Sequence, residues 1–199
     1  MIKTEGFRKI SIVFLLLFSW SFALRAQVLD NGMPPISLSY YAPLAIQVGT
    51  RVGTAISLRN WEPAGRERVL LVRPQIGYFS QLGLHRNFVV ETDLAFRLKK
   101  AKKRSYLSPS LGLGYINSVE NIEGSVNLGS GEIDQKTENY HYFLPTINLE
   151  WGLVPKKNLG YFFKFFMGRK VGAESDAAFF GIEIGLNFHI TQKGVDTDE

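Results

Sequence analysis

Eight charged residues lie at alternate positions in stretches whose intervening positions are apolar. Four are basic and four are acidic, and the set is Arg51, Arg73, Glu91, Asp93, Arg97, Glu150, Lys164 and Glu183. Charges enclosed together need partners, because an unpaired ion outside water is strongly disfavoured. The balanced set therefore predicts an ion-pair network inside the protein, with a structural role. The alternative interpretation is the lining of a narrow, gated polar pore.

Histidine is the side chain most often used for general acid–base catalysis, and the chain has three: His85, His141 and His189. We place His85 in a turn, His141 near a loop-facing rim and His189 on a polar face near the opposite rim. None has a serine within the next two residues, and no Gly-x-Ser-x-Gly motif occurs. The chain has no cysteine and no cluster with metal-ligand spacing. We predict no catalytic, cofactor or metal site, so the protein is not expected to be an enzyme.

The charged residues lie on segments that alternate strictly between apolar and polar positions. In residues 87–99, Phe88, Val90, Leu94, Phe96 and Leu98 occupy the even positions, while Glu91, Asp93 and Arg97 occupy odd ones. A period of two over this length predicts a β-strand with one apolar and one polar face. The same pattern recurs in residues 48–58, 69–79, 106–116, 142–153, 161–168 and 178–189.

The apolar faces carry no charged residue, although charged residues make up 21% of the chain. The polar faces are rich in glycine, serine and alanine, which suits a crowded interior. Aromatic residues towards strand ends, Tyr78, Tyr115, Trp151 and Tyr161, are typical of a membrane–water boundary. We therefore predict an all-β fold, a closed antiparallel up-and-down transmembrane β-barrel with its apolar faces towards lipid. The alternative is a soluble, lipocalin-like barrel with the opposite polarity.

Seven strands are clear, and bacterial outer-membrane barrels have an even number. We predict eight strands, with the missing one at residues 36–41; an alternative position is 125–128. Both ends of the barrel domain then lie on the periplasmic side. Residues 119–139 form the long external loop, and residues 100–104 and 154–159 form short periplasmic turns.

The first 26 residues have the pattern of a secretory signal peptide. Lys3, Arg8 and Lys9 precede an apolar run at residues 10–24, and Ala26 precedes the expected cleavage point. The run is short for a transmembrane helix. Residues 1–26 carry a net +3, so residues 27–199, the predicted barrel domain, retain only +2 of the chain's +5. A nucleic-acid partner is therefore not expected.

Together these features resemble the small eight-stranded outer-membrane barrels of Gram-negative bacteria, the OmpA-domain and OmpX-like class. The resemblance covers residues 36–190 and includes a last strand that ends on the aromatic Phe188, although eleven residues follow it. The stretches 40–43 and 108–115 look like those of Bacteroidetes-type envelope barrels. The resemblance implies the outer membrane as the location, with lipid, lipopolysaccharide and the barrel-assembly machinery as partners of a monomer.

For such a barrel we expect a structural or surface-interaction role, with a polar, ion-paired and largely plugged lumen. The alternatives are a small porin or carrier for a small solute, and a lipid A-modifying barrel enzyme. Two further features have simpler interpretations. The basic residues Lys99, Lys100, Lys102, Lys103 and Arg104 are predicted to form a solvated hairpin turn, and strand glycines such as Gly112 indicate tight packing in the lumen.

Overall fold

A computed structural model describes residues 34–44, 47–63, 65–81, 85–122, 136–154, 158–172 and 176–189. These residues form nine β-segments: β1 Ile36–Pro43, β2 Val48–Thr54, β3 Ile56–Trp61, β4 Arg66–Gln81, β5 His85–Lys100, β6 Ser105–Ile122, β7 Lys136–Leu153, β8 Leu159–Val171 and β9 Asp176–Phe188. Within these ranges no helix is long and apolar enough to cross a membrane. The predicted signal peptide at 1–26 and the alternative strand at 125–128 lie outside the described residues.

The nine segments make eight barrel strands, because β2 and β3 follow one another around Ala55 and both pair with β4. Every pairing is antiparallel, and β1 joins β2 to β9. The order β2-β1-β9-β8-β7-β6-β5-β4-β3 is closed by the β2–β4 pairing. The predicted closed, eight-stranded antiparallel barrel is confirmed, including a first strand that begins at Ile36.

One strand differs from the prediction. Residues 48–58 alternate without interruption in the sequence, but the structure breaks the strand at Ala55 and shifts its register between Ser57 and Arg59. A β-bulge places an extra residue on one strand, and a shift by one residue moves the following side chains to the other face. Arg59 therefore pairs with Leu70, on the outward face.

Several strand ends also differ from the prediction. β5 begins at His85, so the histidine predicted in a turn is the first residue of a strand. β6 extends to Ile122 and β7 begins at Lys136, so both strands run into the predicted loop at 119–139. The predicted turn after Lys100 is present, with Lys103 N donating to Lys100 O at 2.9 Å.

We call the end of the barrel where β1 begins and β9 ends the terminal end, and the other the loop end. The turn 101–104 lies at the terminal end, as do the end of β7 at Leu153 and the start of β8 at Leu159, whereas β6 ends and β7 begins at the loop end. The longest sequence interval between two consecutive strands, from Ile122 to Lys136, therefore begins and ends at the loop end.

The outer side of the wall is apolar, and the charged side chains of the strand centres point inwards. Leu111 on β6 is 64% exposed and Ile147 on β7 is 59% exposed, whereas Asp93 on β5 is fully buried. Neighbouring residues on a strand point to opposite sides of the wall, so the apolar side chains cover the outer surface. The polarity is that of the predicted inside-out barrel and opposite to a soluble, lipocalin-like one.

Candidate functional site

The eight predicted charged residues all lie on inward-facing positions. Arg51 lies on β2, Arg73 on β4, Glu91, Asp93 and Arg97 on β5, Glu150 on β7, Lys164 on β8 and Glu183 on β9. Seven of them take part in ion pairs with one another, and Arg97 does not. The strands bring these residues together because alternate residues of every strand point into one narrow lumen.

One half of the network is centred on Glu183. Its carboxylate lies 2.7 Å from Lys164 Nζ and 3.3 Å from Arg51 Nη1. Arg51 Nη2 is also 3.0 Å from Glu91 Oε2. One arginine on β2 therefore joins carboxylates on β5 and β9, which β4, β2 and β1 separate around the wall.

The other half is centred on Asp93. Its Oδ2 atom lies 3.1 Å from Arg73 Nη2 and 3.7 Å from Lys164 Nζ, so Lys164 links the two halves. Arg73 also pairs with Glu150 on β7 through its other terminal nitrogen. The seven side chains therefore form one continuous network, and each is nearly fully buried.

Neutral side chains supply the remaining hydrogen bonds of the carboxylates. Ser39 donates to Glu183 at 2.5 Å, and Thr146 donates to Glu91 at 2.6 Å. Asn148 donates to Asp93 at 3.1 Å. Buried carboxylates are tolerated when their lone pairs accept hydrogen bonds in this way. The charges alone did not identify these residues; their only signal was a place on the polar faces.

Gln75 is a second connecting residue that the charge pattern did not reveal. Its Oε1 atom accepts hydrogen bonds from Arg51 at 3.0 Å and Lys164 at 3.1 Å. Its amide nitrogen donates to Asp93 at 3.3 Å. Gln75 therefore bridges two cations and one carboxylate, and it fixes the relative positions of the two halves.

Gly112 on β6 makes room for the carboxylates. A Cβ atom at this position would lie 2.5 Å from Glu91 Oε1 and 2.6 Å from Asp93 Oδ1, and closer still to Thr146 Oγ1. Real Cβ contacts are not this short. The glycine is therefore needed for the network to approach the wall, in line with the expected tight packing of the lumen.

Arg97 is the predicted member that the structure leaves outside the network. Its guanidinium lies over the Tyr106 ring, 4.3 Å from the centroid, and Tyr106 donates to Glu150 at 2.8 Å. The seven paired residues comprise three cations and four anions, and Arg97 supplies the fourth positive charge next to them.

A cavity of about 50 Å³ lies beside Arg97, towards the terminal end, and His189 also lines it. Burial lowers the pKa of His189, and the positive charge of Arg97 lowers it further.

An aromatic and aliphatic cluster fills the lumen on the loop-end side of the network. Its members are Tyr41, Phe79, Val89, Ile116, Tyr142, Leu144, Phe166 and Phe179. Tyr41 stacks on Phe166 at 4.9 Å between centroids, and the guanidinium of Arg51 lies 3.8 Å from the Tyr41 ring centroid. The sequence pattern did not predict this cluster, because the inward faces were expected to be polar along their whole length.

The three histidines lie in three separate places. The side-chain amide of Gln47 lies 2.8 Å from His85 Nε2 at the loop end. His141 is exposed on the outer face, where its Nδ1 lies 2.6 Å from the Tyr115 hydroxyl oxygen. His189 follows β9 at the terminal end. The fold does not bring them together at one place. In the described ranges no group of three or more potential metal ligands occurs.

No protein-family model and no curated protein matches this chain. Solved structures, in contrast, do match this chain. The outer membrane enzyme PagL aligns with a TM-score of 0.50 and 10% identity over 78% of this chain and 99% of PagL. Neisserial surface protein A aligns with a TM-score of 0.50 and 5% identity over 79% of this chain and 96% of its own. The β domain of the Bordetella autotransporter BrkA aligns with a TM-score of 0.52 and 16% identity over 83% and 74%.

These similarities concern the fold. The chain has the architecture of the small eight-stranded outer-membrane β-barrels, as the resemblance drawn from the sequence implied.

Proposed function

We propose that the chain is an integral outer-membrane barrel protein with a structural or surface-interaction role and a lumen closed to ions and solutes. The observation that carries this proposal is the continuous ion-pair network from Glu91 to Glu150, together with the aromatic cluster around Phe166 on its loop-end side. Together they fill the interior with side chains that contact one another. An eight-stranded barrel has an interior just wide enough for such a filling.

The outer surface supports the membrane location. Soluble monomers rarely expose contiguous apolar patches larger than a few hundred Å², whereas here the exposed large side chains occur on every strand, as at Leu38, Leu94 and Ile184. Lipid is the environment that suits such a surface, and a closed barrel leaves no strand edge unpaired within it. The predicted signal peptide and the similarity to outer-membrane barrels support the outer membrane of a Gram-negative cell.

The proposed partners follow from the same surface. Outer-membrane lipid and lipopolysaccharide would contact the wall, and the barrel-assembly machinery would act during insertion. Phe188, at the end of the last strand, is outward-facing and 39% exposed, which is compatible with its proposed role as the terminal aromatic residue. We propose a monomer, because the closed barrel has no free edge strand for pairing.

Two measurements test the proposal. Protein in isolated outer membranes should show heat-modifiable migration on gels, as expected of a stable barrel that resists detergent until it is heated. Planar-bilayer recordings should then show little or no steady conductance. Large, stable channels would contradict the closed lumen, and a chain that stays soluble after removal of residues 1–26 would contradict the membrane location.

A small porin or carrier is the second candidate. The cavity beside Arg97 and His189 favours it, because it provides polar space at one end of the barrel. At about 50 Å³ it accommodates only a few water molecules, so we regard it as a hydrated recess. A conductance that rises when Phe166 is replaced by alanine, and that is already measurable in the unmodified protein, would favour the porin.

The proposed role is non-catalytic. The alternative, lipid A modification, needs a nucleophile, a base and an orienting group at one place, and the three histidines are separated. PagL, an outer membrane enzyme, shares the fold at 10% identity. Overexpression should leave the mass of lipid A unchanged. A mass shift that His141→Ala abolishes would establish the enzyme instead.

A further inference from the structure

The outer face of β3, β4 and β5 carries a basic cluster at the terminal end. It consists of Arg59, Arg66, Arg68 and Lys100, which share the outward side of neighbouring strands. On the other strands no outward strand position at this end is charged, and most are apolar or aromatic, as at Ile36, Leu107, Trp151, Leu159 and Phe188. The charge is therefore confined to one sector of a wall that is otherwise suited to lipid.

The bulge in β3 assembles this basic cluster. Without it, the alternation that places Val52 outward would turn Arg59 and Trp61 into the lumen. With the register shift, Arg59 pairs with Leu70 and Trp61 pairs with Arg68, both on the outward side. Residues directly opposite each other in a sheet have Cβ atoms about 5 Å apart, so the side chains are close neighbours.

Two aromatic side chains, Trp61 and Phe96, lie next to the basic cluster. The Arg59 guanidinium lies 4.9 Å from the Trp61 ring centroid, and Trp61 lies 6.2 Å from Phe96 between centroids. A surface groove is lined by Trp61, Glu62, Pro63, Arg68 and Phe96. The groove thus combines aromatic rings that suit acyl chains with Arg68, the member of the basic cluster that lines it.

In the described part of the chain, none of the four cations forms an ion pair with another residue. Glu67, on the same strand as Arg66 and Arg68, pairs with Lys99 on the inward side, and Glu62 is the sole described carboxylate that lines the groove. Arg66 lies directly opposite Lys100. Like charges in this arrangement repel each other, and an anion would relieve the repulsion.

We propose that this basic cluster binds the phosphate of an anionic glycerophospholipid in the leaflet at the terminal end. Arginine suits this ligand because its planar guanidinium forms paired hydrogen bonds to phosphate oxygens, and tryptophan favours the same membrane depth. The phospholipid is preferred over lipopolysaccharide because the terminal end is opposite the long β6–β7 connection, which is proposed to be external. The inference rests on the proposed membrane location.

Tryptophan quenching by brominated lipid tests the site. Of the three tryptophans, Trp20 lies in the predicted signal peptide, so in the processed protein Trp151→Phe leaves Trp61 as the reporter, and Trp61→Phe leaves Trp151. Trp151 faces outward at the same end on β7 and is the matched control. Each protein, isolated from membranes, is placed in dibrominated phosphatidylcholine, and unbrominated phosphatidylglycerol or phosphatidylcholine is then added as competitor.

We expect the amount of phosphatidylglycerol that halves the quenching of Trp61 to be at least about fivefold lower than the amount of phosphatidylcholine. One basic side chain near a membrane contributes about 1 kcal/mol, which corresponds to this ratio. At Trp151 the two lipids should compete equally. The Trp61 preference should be lost in Arg66→Gln/Arg68→Gln and should weaken in about 0.5 M NaCl, because salt screens surface charge. Heat-modifiable migration verifies that each variant is folded.

Equal preferences at the two reporters, or a Trp61 preference that survives the double substitution, would overturn the site. Stronger competition by lipid A than by phosphatidylglycerol at Trp61 would overturn the choice of phospholipid. Absence of quenching at both tryptophans would contradict the membrane location itself, so failure of the site and failure of the proposed function are distinguishable.

Discussion

Arg73 on β4 and Glu150 on β7 are three strands apart around the wall, and their side chains meet inside the barrel as an ion pair. The pair connects two parts of the wall that share no backbone hydrogen bonds. Arg51 connects β2 to β9 and to β5 in the same way. The network therefore braces the barrel across its interior, in addition to the backbone ladders that join neighbouring strands.

The first prediction concerns Asp93. Its carboxylate faces both Arg73 and Lys164, so Asp93→Ala leaves two buried cations with fewer partners. Removing one partner of a buried ion pair typically costs about 3–5 kcal/mol, and we expect a loss of that size in the free energy of unfolding, measured by urea titration in lipid vesicles. The control is Asp176→Ala at the exposed pair with Arg169, where about 0–1 kcal/mol is expected. Similar losses at the two sites would contradict the bracing role.

The second prediction concerns the close approach at Gly112. Gly112→Ala places a methyl group against Glu91, Asp93 and Thr146, and overpacking of this kind costs about 1–3 kcal/mol. Gly114→Ala is the matched control on the same strand and face, since its nearest non-neighbouring atom would be 3.1 Å away. We expect the lower unfolding midpoint for Gly112→Ala. An equal or higher midpoint would mean that the network is loosely packed.

The third prediction separates the two faces of β8. Phe166 is buried in the aromatic cluster, whereas its neighbour Phe165 is 42% exposed on the outer wall. Phe166→Ala leaves a cavity among packed rings, and such truncations cost about 3–5 kcal/mol. Phe165→Ala leaves a space that lipid can fill, so we expect a smaller loss in the same vesicle assay. The reverse order would contradict the assignment of inner and outer faces.

The fourth prediction tests the lipid contact at Leu94, an outward-facing residue that is 49% exposed. If the outer wall lies in hydrocarbon, Leu94→Lys should destabilise the barrel by about 2–4 kcal/mol near the bilayer midplane. Leu94→Met controls for the change in shape and should be nearly neutral. A lysine that leaves the unfolding free energy in vesicles unchanged would indicate that this surface is in water.

Much of the architecture could be predicted from the sequence because strand alternation is a local property. The pattern in residues 87–99 identified β5 and its two faces, since successive side chains of any strand point in opposite directions. The inward position of Asp93 and the outward position of Leu94 followed directly. The even strand number came from the parity of bacterial outer-membrane barrels, and the pattern favoured a first strand at Ile36 over the alternative at 125–128.

The tertiary structure decided which residues meet, because contacts across a closed barrel depend on the register of every strand. Nothing in the spacing of the charges distinguished Arg73, which reaches Glu150, from Arg97, which stacks on Tyr106 instead. The bulge after Ser57 is likewise a consequence of pairing with β4. It turns Arg59 outward although the alternation in the sequence continues to Leu58, because a shift of one residue in a ladder exchanges the two faces of a strand.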